Sequence, residues 1–418
     1  MDRVTGTSQG RSPRPGRPVE VAVVAAGVAG CWLAVRAGSP PWQVVRVLVV
    51  VAATAGLLLG LRRAGGAARA ALSLCAGAVV VAVGAGVSAQ WVVEGVSPTA
   101  VAGVVALVAG LVLSGAGVVG VVRAVPGRTR WIAGAAAAVA VLLVIAVVAV
   151  PVAATNVPPG PRPPARAELA GRAAEEVRFT TDDGIELAAW WVAPRGDAVA
   201  VVVPGSGSTR AAARDHAAEL VGAGYGVLVL DHRGHGASDG TAMDLGWYGD
   251  LDLGAAVDEA VRRGAVPGRV AVVGLSMGGE EAVGLLAVDR RIGAVVAEGV
   301  TGRAAADKAW LSEEYGVRGS AQEALDRVTF WVTDLLPGAS PPTPLSDAVE
   351  AGRAPLLLLA AGEVPDEGLV AERLRAVAPG RVDVWEVDGA GHTDALAVDP
   401  AGWRARVLGF LDRAVPAG

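Results

Sequence analysis

"VAVVGLSMGGEEAVG", Val270 to Gly284, is the stretch that decides how the chain reads. It holds Gly-x-Ser-x-Gly at Gly274, Ser276 and Gly278, a pattern that a chain with 57 glycines can produce by accident. The setting carries more information than the motif. The run "RVAVVGL", residues 269–275, is short, apolar and rich in β-branched residues, as a buried strand is, and a helical segment follows at Gly278 or Gly279. A sharp strand-to-helix turn puts a serine at the carboxyl edge of a sheet, and flanking glycines remove side chains that would clash there. The N–H groups opening the helix then point toward any anion forming beside Ser276.

Outward from this point, β-rich runs alternate with amphipathic ones, which predicts βα units and a mostly parallel sheet. Eight strands are expected: Glu176–Thr181, Glu186–Pro194, Ala198–Pro204, Gly226–Asp231, Arg269–Leu275, Ile292–Glu298, Ala354–Ala361 and Arg381–Val387. The first two form a hairpin across "DDG", Asp182 to Gly184. Helices are expected at Thr209–Val221, Leu251–Arg263, Gly279–Val288, Leu369–Ala378 and Pro400–Arg413. The insertion Val300–Arg353 carries Trp310, Tyr315, Phe330 and Trp331 and reads as a small helical cap with an apolar underside.

A serine hydroxyl is a poor nucleophile without a base, and the base should be a histidine held by a carboxylate. Of four histidines, His392 in "VDGAGHTDAL" follows the last strand and falls at the same sheet edge as Ser276. His216 lies in a predicted helix, and His232 and His235 share "DHRGHG" without a third metal ligand, so no metal site is read there. The acid belongs after "APLLLLAAG", where "GEVPDEG" offers three carboxylates. Asp366 is the expected partner of His392, with Glu363, Glu367 and the strand-end Glu298 as alternatives.

The first part of the chain belongs to another solvent. The 418 residues are 53% hydrophobic, with a mean hydropathy of +0.48, too apolar for one ordinary soluble globule. Before Pro151 the only acids are Asp2, Glu20 and Glu94. Five apolar stretches, 19–35, 44–61, 72–93, 100–122 and 131–152, approach the ~20 residues needed to cross a bilayer. Because further spans follow the first, it is not read as a cleaved signal peptide. Their interiors hold no ionisable residue, which argues for an anchor over a transporter, and Gly56 and Gly60 make a G-x-x-x-G suited to close helix packing.

Arg3, Arg11, Arg14 and Arg17 precede the first span, Arg62, Arg63 and Arg69 lie between the second and third, and Arg123, Arg128 and Arg130 lie between the fourth and fifth. This places the N-terminus in the cytoplasm and the C-terminal domain on the extracytoplasmic side of the cell membrane. The expected organisation is a basic tail (1–18), a transmembrane helical domain (19–152), a proline-rich spacer (153–172) and an α/β domain (173–418) with its cap at about 300–353. Net charge is -5 with no basic block, so nucleic acid is not an expected partner. Cys31 and Cys75 both fall in apolar segments, leaving the α/β domain without disulfides.

Taken in order, "TTDDGIELAAWWVAP", "VVVPGSGS", "DHRGHGASDG", "GLSMGG", "PLLLLAAG" and "GAGHT" resemble the landmarks of the α/β-hydrolase superfamily, particularly its serine-esterase and dienelactone-hydrolase-like branch, over residues 175–414. The resemblance implies a nucleophile at Ser276, a general base at His392, an orienting acid at Asp366, and an oxyanion hole from the backbone N–H groups of Met277 and Ser206. In "DHRGHGASDG" it implies that Asp231, Arg233 and Gly234 hold each other and the neighbouring turns. Two departures stand out: Pro204-Gly205 where relatives often have His-Gly, and an acid one residue later than the usual spacing. The implied chemistry is acyl-ester hydrolysis through an acyl-enzyme, without metal or organic cofactor, on a small-molecule or lipid-like ester beside the membrane lipid. The alternatives are a non-catalytic sensor or scaffold domain, or an acyltransferase, thioesterase or peptidase with the same triad.

Overall fold

The computed structural model describes residues 16–36, 40–158, 160–240, 245–336 and 339–418. Of the basic tail expected over 1–18, residues 1–15, with Arg3, Arg11 and Arg14, lie outside the described residues. The chain divides into two compact units, Met1–Ala153 and Ala154–Gly418.

The first unit is five helices: α1 (Arg17–Ala34), α2 (Pro40–Arg63), α3 (Gly66–Glu94), α4 (Pro98–Ala124) and α5 (Thr129–Ala154). All five are long and apolar enough to cross a membrane, as the spans of a multi-pass membrane protein are. Large apolar side chains face outward, Ile132 at 72% and Leu142 at 63% exposure, an arrangement stable only where the surroundings are themselves apolar. With no hydrophobic drive between helices in lipid, close backbone approach has to hold them together, and small residues permit it. Here that seam is α3 against α4. A Cβ on Gly84 would run into the backbone of Leu107, one on Gly110 into Val81, one on Gly77 into Ser114 and one on Gly117 into Leu74. The expected G-x-x-x-G is not the seam: Gly56 faces open space and Gly60 meets only the tip of Leu72. At α4 the N-cap Ser97 accepts the Ala100 N–H at 3.1 Å, with Pro98 at the first helical position.

The second unit is a nine-stranded sheet: β1 (Arg166–Leu169), β2 (Arg172–Thr180), β3 (Glu186–Val192), β4 (Val199–Val203), β5 (Gly226–Leu230), β6 (Val270–Leu275), β7 (Ile292–Glu298), β8 (Leu356–Ala361) and β9 (Val382–Val387). The order is β1-β2-β3-β5-β4-β6-β7-β8-β9. β1 to β3 are antiparallel and β3 pairs antiparallel with β5; the remaining pairs are parallel. The eight expected strands are all present, and β1 adds a ninth. β1 lies within the stretch expected as a spacer, because a four-residue "RAEL" carries no alternation to read. It is held instead by a tight turn in which Ala170 (φ 48°) and Gly171 (φ 74°) both take positive φ. The proline-rich segment is fastened too, with Trp190 Nε1 donating to Pro164 O at 2.9 Å.

Alternation along the strands builds one core on each face. Val199, Val201 and Val203 point into the layer covered by α7 (Gly249–Arg262) and α8 (Met277–Leu285), together with α10 (Leu345–Ala351) and α11 (Pro365–Val377). Ala200 and Val202 point the other way, to α6 (Arg214–Gly222) and the C-terminal segment 400–414 with Trp403, Val407, Phe410 and Leu411. The single helix expected over Pro400–Arg413 is interrupted by a π-helical stretch, Arg404–Leu408. The insertion after β7 forms the long helix α9 (Leu311–Leu335), kinked at Gly316 (φ 56°). Its aromatics divide: Trp310 is buried and Phe330 stacks on Trp247 at 5.6 Å, whereas Trp331 is 60% exposed.

The direction of progression through the sheet reverses at β4, between β5 and β6, so the loops after β4 and β6 part at the carboxyl edge. Such a switch point is where open α/β sheets place ligands. For the α3–α4 seam, Gly110→Leu is expected to destabilise the full chain by about 1–3 kcal/mol, as overpacking does elsewhere. Gly56→Leu should leave the melting temperature in detergent unchanged; equal effects from the two would contradict the seam.

Candidate active site

The turn after β6 gives Ser276 a left-handed backbone, φ 54° and ψ -123°, sparsely populated for a residue with a side chain. Two hydrogen bonds and the start of a helix enforce it. Ser276 N donates to Glu298 O at 2.7 Å, Gly279 N donates back to Ser276 O at 2.8 Å, and α8 begins at once with Met277. The glycines are steric necessities: a Cβ on Gly274 would strike Gly278 O, and one on Gly278 would sit 2.5 Å from Pro204 O. The result is a hydroxyl lifted above the sheet edge at the N-terminus of α8.

His392 arrives from the loop after β9. Its Nε2 lies 2.8 Å from Ser276 Oγ and its Nδ1 2.6 Å from Glu367 Oε1. Gly299 (φ 76°) makes room for the ring, since a Cβ there would stand 2.8 Å from His392 Cε1. Thr393 also takes positive φ (60°), and the chain beyond it is pinned where Ala395 N donates to Glu298 Oε1 at 2.9 Å.

The carboxylate facing His392 is Glu367, not the expected Asp366. Asp366 instead accepts the Tyr315 hydroxyl of the cap at 2.6 Å, Glu363 points into solvent, and Glu298 holds the loop beyond His392. The reason is helical phase. Pro365 starts α11, so Asp366 and Glu367 are successive helical residues about 100° apart, and only the second faces the sheet. Glu367 is 1% exposed and its Oε2 accepts the Ala361 N–H at 2.8 Å, so both oxygens are committed. A signal for this existed in the sequence. Glu367, Val370, Ala371 and Leu374 form an i, i+3, i+4, i+7 stripe, all four buried, which places the acid on the inward face.

The hydrogen bond that His392 donates to Glu367, with the charge of that carboxylate, raises the His392 pKa above the ordinary histidine value against the opposing effect of burial, and Glu280 and Glu298 add to the rise. The N–H groups of Met277 and Ser206 enter none of the turn and loop hydrogen bonds among the described residues. Ser206 is exposed in the loop after β4, which closes with Ser208 Oγ donating to Gly205 O at 2.8 Å.

The "DHRGHG" loop is structural: its residues hold neighbouring turns, as expected, but through partners outside the trio rather than through one another. Asp231 accepts from Arg210 N at 2.7 Å, Arg210 Nη1 at 3.0 Å and Ala237 N at 2.9 Å, while burial pushes its carboxyl pKa up. Arg233 pairs with Asp252 and with Asp183 of the β2–β3 turn and lies over the Tyr248 ring at 4.0 Å. Among the described residues no cluster of three or more His, Cys, Asp or Glu is arranged to hold a metal. A cleft of about 250 Å³ beneath the cap is lined by Trp247, Phe330, Trp331, Pro341 and Pro342, and Ser276 is not among its walls.

Comparison with known proteins finds a family match over part of the chain. Residues 194–310 match the family profile of serine aminopeptidase, S33. Among solved structures, a Pyrococcus furiosus esterase, Pf2001, is similar at 26% identity over 58% of this chain and 93% of its own, with a TM-score of 0.45. An esterase from Rhodococcus sp. is similar at 17% identity over 57% of this chain and 99% of its own, with a TM-score of 0.42. No curated protein matches the chain. The C-terminal unit has the mostly parallel, nine-stranded architecture of the α/β-hydrolase fold, with the matched segment running from just after β3 into the cap, and it follows five long apolar N-terminal helices.

If Glu367 sets the state of His392, ¹⁵N-histidine spectra of the full chain in detergent should show His392 titrating above about 6.5. Glu367→Gln should bring the midpoint down and Asp366→Asn should leave it in place. The opposite pattern would return the pairing to Asp366.

Proposed function

We propose that the protein is a membrane-anchored serine hydrolase that cleaves carboxylic acyl esters through Ser276, His392 and Glu367. The observation that carries this reading is the unbroken hydrogen-bond chain from Glu367 Oε1 through His392 to Ser276 Oγ. His392 Nε2 accepts the Ser276 proton as Oγ attacks the ester carbonyl, and Glu367 stabilises the imidazolium that forms. The N–H groups of Met277 and Ser206 receive the oxyanion, and the dipole of α8 adds to its stabilisation. His392 then returns the proton to the leaving alcohol, and a water it activates releases the acid and restores Ser276. The apolar cap, in which Trp247 stacks on Phe330, is in keeping with a lipid-like acyl ester.

A second reading is supported by the match of residues 194–310 to serine aminopeptidases: the same relay acting on aminoacyl amides. Parallel turnover of p-nitrophenyl acyl esters and aminoacyl p-nitroanilides separates the two. The ester reading expects activity on the first that exceeds the second at every acyl length tried.

The direct test is a fluorophosphonate probe, which should label the wild type and not Ser276→Ala. A folded wild type that stays unlabelled would turn the reading toward a non-catalytic sensor or scaffold. Because the base works unprotonated and His392 is raised, kcat/KM should rise with pH through a midpoint above about 6.5 and flatten beyond it. Glu367→Gln should cost ~10³–10⁴-fold in kcat. From the arginine distribution we further place the hydrolase unit on the extracytoplasmic side. A C-terminal alkaline phosphatase fusion should then be active in intact cells, and a silent fusion would reverse the orientation.

A further inference from the structure

Beneath the loop that carries Ser206 lies a pair of buried side chains that the hydrolytic scheme does not use. His232, just after β5, is 3% exposed, and its Nε2 is 3.0 Å from Pro204 O. A carbonyl only accepts, so Nε2 carries the ring proton in this contact. The other nitrogen, Nδ1, is 3.5 Å from Oε2 of Glu281, a residue of α8 five positions after Ser276 and 2% exposed. Among the described residues Glu281 Oε2 is buried without a hydrogen-bond partner, its approach to His232 being longer than an ordinary hydrogen bond.

The surroundings of Glu281 favour its neutral form. Burial, then the neighbouring charge of Asp252, pushes its carboxyl well above the usual carboxylate range, with Asp250 and Glu280 adding to the effect. Arg303 opposes them, but its guanidinium is engaged by Asp250 at 3.0 Å, and Asp252 is itself held by Arg233 at 2.9 Å. A protonated carboxyl has one O–H to give, and the Nδ1 lone pair of an Nε2–H imidazole faces it.

Pro204 O is where this chain of contacts ends, and its position matters. The oxygen lies so close over Gly278, at the first turn of α8, that no Cβ fits between them. The proline ring fixes φ on one side of this peptide and the His232 N–H fixes the carbonyl on the other. One peptide further on comes the N–H of Ser206.

We propose that Glu281 and His232 form a buried positioning relay, Glu281 Oε2–H to His232 Nδ1 and His232 Nε2–H to Pro204 O, that sets the direction of the Ser206 N–H toward the oxyanion. Its catalytic meaning rests on the serine-hydrolase reading; its structural content does not. Both residues are positioning residues and touch no substrate. The relay links α8, which presents the nucleophile, to the β4 loop, so the two halves of the oxyanion site move as one body.

The test uses the full chain in detergent with His232→Leu, His232→Gln and Glu281→Gln. Hydrogen exchange of the backbone segment 204–208, read by mass spectrometry, is independent of turnover. It should speed up at least tenfold in His232→Leu and stay near wild type in His232→Gln, whose amide N–H still reaches Pro204 O, and in Glu281→Gln, whose carboxamide still donates. On a p-nitrophenyl ester, His232→Leu should lower kcat by ~10–100-fold with KM within about twofold, as a misaimed oxyanion donor does. Both glutamine variants should recover most of that loss. If His232→Leu does not fold, His232→Asn, polar but too short to reach Pro204 O, takes its place in both measurements.

Wild-type exchange and kcat in a folded His232→Leu or His232→Asn would overturn the relay. Loss in Glu281→Gln as large as in His232→Leu would overturn the neutral-acid link. A wild type that neither labels at Ser276 nor turns over esters would sink the hydrolase reading instead, and the exchange measurement alone would then decide the relay.

Discussion

The structure of the hydrolase unit depends on one backbone constraint, the left-handed turn at Ser276. For a residue with a Cβ this conformation costs on the order of 1–3 kcal/mol and persists only where its surroundings over-determine it. Here they do. Glu298 O takes the Ser276 N–H, and Gly274 and Gly278 leave no room for side chains where strand and helix cross. The β4 loop lies directly on the first turn of α8. The same packing that stores this strain lifts the hydroxyl off the sheet at the N-terminus of α8.

The rest of the site is built against that fixed point by elements far apart in the chain. Glu298, at the end of β7, accepts the Ser276 N–H on its backbone oxygen and the Ala395 N–H on its side chain, so one residue registers both the nucleophile turn and the histidine loop. Gly299, next to it, supplies the space the imidazole fills. Glu367 is committed at both oxygens and almost wholly buried. Each group is oriented by a partner with a structural task of its own, which holds the hydrogen-bond chain in place without substrate.

The helical unit follows different physics and is written in a different alphabet. In the hydrolase unit, valine and leucine are buried in two layers about a sheet. In the helical unit many of the same residues point outward, and glycine and alanine bring the backbones together around a few buried side chains such as Leu61 and Leu113. The expected G-x-x-x-G at Gly56 and Gly60 packs on nothing of consequence, while Gly77 and Gly84 of α3 and Gly110 and Gly117 of α4, each pair seven residues apart, bring two backbones together. A glycine pair in a sequence signals permission for close approach; which pair is used depends on which helices become neighbours.

How much was legible varied with the range of the interaction that decides it. The eight strands, the five spans and the placement of Ser276 and His392 after β6 and β9 follow from local pattern, because period-2 and period-3.6 alternation and glycine punctuation act within a few residues. β1 escaped because its four residues are held by a turn and a partner strand rather than by their own hydrophobicity. The choice between Asp366 and Glu367 needed the phase of α11 against the sheet, although the stripe formed with Val370, Ala371 and Leu374 already pointed inward. The partners of Arg233, and the contact of His232 with Pro204 and Glu281, joined residues 19 to 50 positions apart and left no trace in spacing. The sequence by itself determined which elements form and which chemistry they carry. Only the tertiary structure decided which carboxylate meets which base, because a difference of one residue on a helix is a rotation of about 100°, and that rotation has meaning only against a packed neighbour.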